Sequence, residues 1–213
     1  MIFVYRTSVV GPSGIPLSDY AEGDIIKLNE GGSPVEFYVS CHDYESGLNG
    51  AGRTLTVRKD CYDQRAWDSG SVNAYASSDL DAWFNGTYKN LLDPAIQTAI
   101  GTTKFYYTPG NGNWTVSTLE RAVFALSLTE LGLSSTNPPA NTEGSALPIA
   151  SILTNNSGLQ WTRSPVTNGT NSAWWSNYGS TNNNSTNASR DSRPCFTLPS
   201  TILINPDTNE VVA

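Results

Sequence analysis

Charge, histidine and long apolar runs are scarce in this chain. Of its 213 residues only 15% are charged, one is histidine, and 12 Lys and Arg stand against 19 Asp and Glu, for a formal net charge of −7. A phosphate-binding surface needs a basic stripe, so the composition argues against nucleic acid as a partner. No stretch reaches the roughly 20 apolar residues of a membrane-spanning helix, and residues 1–14 lack the apolar centre of a secretory signal. We therefore expect a soluble protein without membrane insertion.

Cysteine is also rare, and its spacing argues against two kinds of site. Cys41, Cys61 and Cys195 are an odd number without a CxxC pair, which suits neither a disulfide framework nor a structural zinc site. We expect buried, reduced thiols. A bridge from Cys41 to Cys61 stays open if the strands that carry them are paired.

Motifs for metal binding and catalysis are missing as well. The Glu-Pro-Asn and Trp-Asn-Asp motifs of calcium-dependent sugar binding do not occur, and Asp191 is the only acidic residue between Gln160 and Ile204, whereas calcium needs clustered oxygen ligands. Cys41-His42-Asp43 contains a nucleophile, a base and a carboxylate by type, but neighbours along a strand point to opposite faces. We expect no enzymatic activity, no metal and no other cofactor.

The abundant residues are Asn, Ser, Thr and Gly, accompanied by six Trp and ten Tyr. This composition is typical of a loop-rich domain that favours strands, and a hydrophobic content of 38% can fill its core. Residues 34–41 (PVEFYVSC) alternate as in a half-buried strand, and Leu55 and Val57 follow a Gly-rich turn, which predicts a hairpin. Further strands are expected at residues 160–163, 173–176, 195–198 and 201–206, with long polar loops between them.

Two short helices and one capping box complete the predicted elements. Ser78 as N-cap predicts a helix that stops at Gly86, and Asp93-Pro94 predicts a second helix. Ser117 to Glu120 matches a capping box, which predicts one helical turn followed by a strand in AVFALSLTEL. The polar stretch after Gly132 is expected to be a surface loop, with no helix beyond it. Nothing divides the chain, so we predict a single α+β domain over residues 1–213, with residues 1–22 as an N-terminal extension.

The segment Asn168 to Asn187 has the most unusual composition, with seven Asn and seven Ser or Thr in twenty residues. Such a composition alone is typical of a flexible loop. However, disordered tracts seldom hold large aromatic residues, and this segment contains Trp174, Trp175 and Tyr178. Trp and Tyr among Ser and Asn is the composition of antibody paratopes, where aromatic rings give contact area and polar groups give adaptable hydrogen bonds. The segment is therefore interpreted as a binding face.

The genetic code adds a second interpretation of the same segment. Changing either adenine of the Asn codons AAC and AAT gives Ser, Thr, Tyr, Asp and others, but never a stop codon. Residues 168–191 contain these residue types and no Lys. This is the pattern that adenine-targeted mutagenesis would leave.

Several separated blocks, in order, resemble a large family of bacterial and bacteriophage domains of unknown function, many of them targets of diversity-generating retroelements. The blocks are residues 57–93, 104–132 and 140–150, together with QWTRSP (160–165) and SRPCFTLPS (192–200). The resemblance runs from about Gly23 to Leu203. It implies a C-type-lectin-like fold with short helices, antiparallel strands and long polar loops, related to the fold of formylglycine-generating enzymes.

The same resemblance implies a variable segment near the C-terminus, here residues 161–194, and an invariant frame of Trp161, Arg163, Pro165, Arg193 and Pro194. The residues expected to bind ligand are Asn168, Asn171, Ser172, Trp175, Ser176, Asn177, Tyr178, Thr181, Asn182, Asn184, Asn187 and Asp191. Trp175 and Tyr178 are expected to supply most of the binding energy.

We thus expect a hypervariable receptor-binding protein that is diversified by a retroelement and displayed on a phage particle or a cell surface. Its partner would be a protein or glycan on a host or neighbouring cell. Two alternatives remain: a structural virion decoration protein with a fixed surface loop, and an enzyme of the formylglycine-generating type.

Overall fold

The computed structural model describes residues 14–155 and 158–212. Within these ranges the strands are β1 (Ile15–Pro16), β2 (Ile25–Glu30), β3 (Ser33–Cys41), β4 (Arg53–Arg58), β5 (Gln64–Ala66), β6 (Thr103–Tyr107), β7 (Ser117–Arg121), β8 (Leu159–Pro165), β9 (Ser172–Asn177), β10 (Ser180–Ser185), β11 (Ser189–Asp191), β12 (Cys195–Pro199) and β13 (Leu203–Ile204). The α-helices are α1 (Ser46–Asn49), α2 (Asp79–Trp83), α3 (Pro94–Ala99) and α4 (Ala150–Asn155).

Two sheets organise the domain. One has the strand order β12-β4-β3-β2 and the other β10-β9-β8-β11-β5, and two further pairs, β1-β13 and β6-β7, lie outside them. All named pairs are antiparallel except β8 and β11. The prediction of an α+β fold is therefore confirmed. In the part of the chain that the structure describes, no helix is both long and apolar enough to cross a membrane.

The two ends of the described chain meet. β1 pairs with β13, and Leu17, just after β1, is completely buried. Residues 15–22 therefore belong to the domain rather than to the predicted N-terminal extension, whose residues 1–13 lie outside the described ranges.

The four-stranded sheet confirms the first predicted hairpin and corrects its details. β3 and β4 are antiparallel neighbours, but Phe37, Tyr38 and Val39 are all buried, so β3 is covered on both faces rather than half-buried. The connection between β3 and β4 holds the short helix α1. Cys41, Cys61 and Cys195 are all unpaired thiols, so the Cys41–Cys61 bridge does not form.

The two predicted helix starts are confirmed. The Ser78 side chain accepts a hydrogen bond from Asp81 N at 3.2 Å, and the Asp93 carboxylate accepts one from Ala95 N at 2.9 Å. The first helix does not stop at Gly86 but continues as a π-helical turn to Tyr88. Burial of Phe84 and Tyr88, four residues apart, outweighs the roughly 1 kcal/mol that a helical glycine costs.

The predicted capping box is wrong, because Ser117–Arg121 is the strand β7, paired with β6. The run after it is not a strand either. Its backbone N–H groups donate to side chains, as Ala122 and Val123 do to Asn85 Oδ1 and Ala125 does to Tyr75. Phe124, in contrast, exchanges backbone hydrogen bonds with Cys195 of β12, and Leu126 O accepts one from Arg163 N. The run is thus held by a mixture of side-chain and backbone bonds instead of a continuous strand ladder.

Three elements that the sequence did not predict, α4, β10 and β11, complete the C-terminal half. Helix α4 follows Pro148 and buries Leu153. Strand β10 lies in the Asn-rich segment, where a loop was expected.

Candidate binding face

Strands β9 and β10 form a hairpin, named here the Asn-rich hairpin (residues 172–185). Its register runs from Asn177 opposite Ser180 to Ser172 opposite Ser185. The two turn residues, Tyr178 and Gly179, have φ angles of 46° and 82°, as the type I′ turn of a two-residue hairpin loop requires. Trp174 and Trp175 in β9 explain why such a polar segment is ordered, since burying aromatic side chains offsets the entropy of fixing the chain.

The aromatic residues that were expected to act together are separated. Tyr178 at the turn is 65% exposed, whereas Trp175 is only 6% exposed and Trp174 2%. Trp175 packs against the main core, with the Arg190 guanidinium carbon 4.8 Å from its ring centre. Trp174, on the other face of β9, packs in a small second cluster with Leu128 and Val166. Of these three rings, Tyr178 is the one that is largely exposed.

Two further predicted binding residues also have structural positions. Ser176 is completely buried. The Asp191 carboxylate accepts a hydrogen bond from Leu159 N at 2.7 Å and so holds the start of β8. Trp175, Ser176 and Asp191 thus have structural positions, and their predicted contacts with a ligand stay predictions.

The remaining predicted residues lie along the hairpin rather than in one patch. Asn168, Asn171, Asn182 and Asn187 are exposed, and Ser172, Asn177, Thr181 and Asn184 are partly exposed. Asn168 and Asn171 precede β9, whereas Tyr178 follows its sixth residue, which puts them roughly 20 Å apart.

Some of the Asn residues have a local structural role. In a two-residue hairpin the N–H groups of Thr181, Asn183 and Ser185 point away from β9. The Asn182 side chain accepts from Asn183 N and the Asn184 side chain from Ser185 N, each at 2.8 Å. These bonds cover donors that an edge strand would otherwise offer to another chain.

A buried polar network (Tyr44, Glu130, Glu143, Arg163 and Ser164) includes two residues of β8, the strand that pairs with β9 of the hairpin. The Arg163 guanidinium donates to the two Glu130 oxygens at 2.6 and 2.8 Å, and both side chains have no exposed surface. Burial by itself lowers the pKa of Arg163, but the charge of Glu130 more than reverses this, and the pKa is raised. Tyr44 also donates to Glu130.

Glu143 fixes the chain between Gly132 and α4, which was predicted to be a surface loop. Its carboxylate accepts from Thr108 N at 2.7 Å and from the Ser164 hydroxyl, and Glu143 is completely buried. Burial raises the pKa of Glu143. Arg163 is the cation of this network, and Glu130 neutralises its charge. Glu143 is therefore the carboxyl of the network whose charge has no cation of its own.

Two more buried residues hold the ends of the segment. Asn73 donates through its amide to the carbonyls of Val166, Gly169 and Ser172, at 2.9 to 3.1 Å, and thereby shapes the β8–β9 connection. Arg193 donates to the carbonyls of Arg58, Lys59 and Leu153. Burial lowers the pKa of Arg193, and no carboxylate pairs with it among the described residues.

The hairpin region itself is incompletely hydrogen bonded. Six buried side-chain polar atoms of the described residues have no partner, and five of them lie between residues 174 and 190. They are Trp174 Nε1, Trp175 Nε1, Ser176 Oγ, Thr186 Oγ1 and Arg190 Nε. Buried polar groups without partners are uncommon in folded proteins, so their concentration marks this region.

A polar cleft of about 390 Å³ opens beside the hairpin. It separates the Trp174 face of β9–β10 from the turn of residues 134–137, which Thr181 Oγ1 reaches by a 3.5 Å hydrogen bond to Ser134 O. The lining residues are Ser134, Ser135, Thr136, Asn137, Trp174, Thr181, Asn182 and Asn183. The 134–137 half of this cleft was not predicted from the sequence, where its only signal is a polar composition.

The side chains of Cys41, His42 and Asp43 each have a different hydrogen-bond partner. His42 Nδ1 lies 2.8 Å from the Thr54 hydroxyl and Nε2 lies 2.9 Å from Tyr20 O, so both ring nitrogens are hydrogen bonded within the fold. Burial, followed by the nearby carboxylates, raises the pKa of Cys41 to about 11. No cluster of three or more potential metal ligands occurs within residues 14–155 and 158–212.

A family model described as Domain of unknown function (DUF6273) matches residues 51–200, and the chain belongs to this family. No curated protein and no solved structure matches it.

Proposed function

We propose that this member of the DUF6273 family is a non-enzymatic ligand-binding protein whose Asn-rich hairpin is a diversified receptor-binding surface. In this proposal a retroelement varies residues within 161–194, and the protein is displayed on a phage particle or a cell surface. The partner is a protein or glycan on a host or neighbouring cell. The domain is proposed to be C-type-lectin-like, a view that its paired terminal strands, short helices and long connections support.

The observation that carries the proposal is the contrast between the hairpin and its two ends. Arg163 before the hairpin and Arg193 after it are buried and fully hydrogen bonded. Between them, Tyr178 and several Asn side chains are exposed. A surface can vary without loss of fold when buried, fully hydrogen-bonded residues fix its ends, and the positions of Arg163 and Arg193 support this proposal.

The thiol environments support a non-enzymatic role. Besides Cys41, Cys195 is completely buried and donates to Phe124 O at 3.0 Å, and burial raises its pKa well above the ordinary value. A thiol must ionise to act as a nucleophile, and these two resist ionisation at neutral pH.

Amplicon sequencing of this gene across its source community tests the proposal. We expect substitutions at adenines of the codons for exposed residues, foremost Asn168, Asn171, Asn182 and Asn187. Buried Ser176 should vary much less, although it lies in the same segment. Asn90, exposed in the 3-10 helix (Lys89–Leu91) before α3, provides a matched Asn codon outside the segment and should stay constant. Uniform, low variation would instead indicate a fixed loop, as in a structural decoration protein.

A further inference from the structure

We propose that the cleft between the Asn-rich hairpin and residues 134–137 binds an uncharged saccharide. This inference deepens the proposed function, on which it rests, by assigning a chemical class to the ligand. It also extends the binding face beyond the predicted variable segment to the 134–137 turn.

The chemistry of the lining points to a neutral ligand rich in hydroxyl groups. Three Asn, two Ser, two Thr and Trp174 line the cleft, and no charged side chain is among them. Amides and hydroxyls both donate and accept hydrogen bonds, as sugar hydroxyls do. The net charge of −7 disfavours anionic ligands, and the cleft offers no Lys or Arg to bind a sialic acid, sulfate or phosphate group.

Trp174 supplies the second, independent observation. It lines the cleft and is 2% exposed, and its Nε1 donor has no acceptor among the described residues. Asn183 lies directly opposite Trp174 in the hairpin register and also lines the cleft. Trp174 thus brings an unpartnered indole donor to the wall of the cleft beside Asn183, and a sugar hydroxyl can supply the acceptor.

The dimensions and the weak closure of the cleft also suit this ligand. Its volume of about 390 Å³ lies at the lower end of the range of small-molecule sites, roughly 300–1,000 Å³. The Thr181–Ser134 contact across it is long at 3.5 Å. A ligand hydroxyl can therefore replace Thr181 at Ser134 O, and a small shift of residues 134–137 then gives access to Trp174 Nε1, while the Thr167 hydroxyl still holds the carbonyl of Pro139 at 2.8 Å.

The test uses a printed array of neutral, sialylated and sulfated oligosaccharides, followed by calorimetry with the best-bound neutral oligosaccharide. The unaltered protein is compared with two cleft variants, Asn183→Ala and Trp174→Phe, the second of which removes Nε1 and keeps an aromatic ring. The control is Asn90→Ala, which changes an exposed Asn outside the cleft. We expect binding of neutral glycans, a Kd about fivefold to tenfold weaker for Asn183→Ala and for Trp174→Phe, and no change for Asn90→Ala. Thermal unfolding of each variant checks that it is folded.

Binding of charged glycans only, no glycan binding, or a neutral-glycan Kd that neither cleft variant changes would overturn the saccharide assignment. These results are separable from the proposed function. Diversified codons without glycan binding would leave the receptor-binding surface in place with a protein as its ligand. Glycan binding in the cleft with uniform codons would leave the saccharide site and remove the diversification.

Discussion

At Arg163 all three guanidinium nitrogens are hydrogen bonded, to Tyr106 O, Ala125 O and the Glu130 carboxylate. Eleven and twelve residues further along the chain, the indole nitrogens of Trp174 and Trp175 are equally buried and have no partner among the described residues. The two regions are connected through adjacent strands, β8 and β9, of one sheet. The same sheet thus contains a buried polar group whose hydrogen bonds are all made, at Arg163, and buried polar groups without a partner among the described residues, at Trp174 and Trp175.

The difference shows which polar groups the fold depends on. In the buried polar network each partner removes the desolvation cost of another, so loss of one member leaves a costly unpaired group. In the Asn-rich hairpin the stability comes from the apolar surface of the two Trp residues. The polar atoms there add little to stability, and their exchange should leave the fold intact, which is the property that a diversified surface needs.

The largest predicted effect comes from breaking the network. Glu130→Ala removes the only carboxylate bonded to Arg163 among the described residues, and it leaves a buried charge without its partner. We expect the free energy of unfolding to fall by about 3–5 kcal/mol. Urea denaturation at neutral pH measures it.

The matched control for this change is Glu120→Ala. Glu120 also forms an ion pair, with Lys104 at 3.1 Å, but both side chains are more than a third exposed. Its removal should cost at most about 1 kcal/mol. Equal losses for the two variants would mean that the network does not carry the stability assigned to it.

A smaller effect should appear in the pH dependence of stability. Burial raises the pKa of Glu143, so the folded protein holds this proton more tightly than the unfolded chain does. The stabilisation is complete below the unfolded pKa of about 4.3, and it is lost as the pH rises through the folded pKa. Glu143→Gln keeps an oxygen that can accept from Thr108 N and cannot titrate.

The unfolding free energy of the unaltered protein, relative to Glu143→Gln, should therefore decrease as the pH rises from 4 to 7. Urea denaturation of both proteins at several pH values measures this difference. Glu120→Gln, at an exposed site, serves as the control and should show no comparable trend. A constant difference between the unaltered protein and Glu143→Gln would contradict the assignment of Glu143 as the uncompensated carboxyl.

Local signals explain which elements the sequence predicted. Ser78 and Asp93 cap their helices through bonds to residues two or three positions away, so the sequence near them contains the whole interaction. Ser117–Arg121 fits a capping box equally well, but the backbone pairs with β6. That pairing depends on residues 103–107, and no local pattern contains it.

The candidate site also has features that the local sequence predicts and features that depend on contacts with distant residues. The polar and aromatic composition marked the segment that became the hairpin. Arg163 and Arg193, which were expected to belong to the frame of this segment, are buried and hydrogen bonded to backbone carbonyls or a carboxylate. The burial of Trp175 could not be predicted, because it depends on how β9 packs against the core and β8. Glu130 did leave a signal, since a single carboxylate in an apolar run needs a cation, and Arg163 is that cation.

The smallest predicted effect tests the hairpin side of the comparison. Ser176 is completely buried and its hydroxyl has no partner among the described residues, so Ser176→Ala removes a polar atom that the fold does not use. We expect the unfolding free energy to stay within about 1 kcal/mol, with a change towards higher stability. Ser164 in β8 is the matched control, because it is also buried but donates to Glu143 and accepts from Leu128 N.

Ser164→Ala should therefore lower the free energy of unfolding by about 1–3 kcal/mol. Urea denaturation measures both Ser→Ala variants, and because each removes the same hydroxyl group, their losses can be compared directly. If Ser176→Ala is as costly as Ser164→Ala, the hairpin hydroxyl has a bound partner in solution, and the polar groups of the hairpin belong to the scaffold. If only Ser164→Ala is costly, the fold depends on β8 and its network. The polar residues of the hairpin can then be replaced without loss of the fold, as binding to different ligands would require.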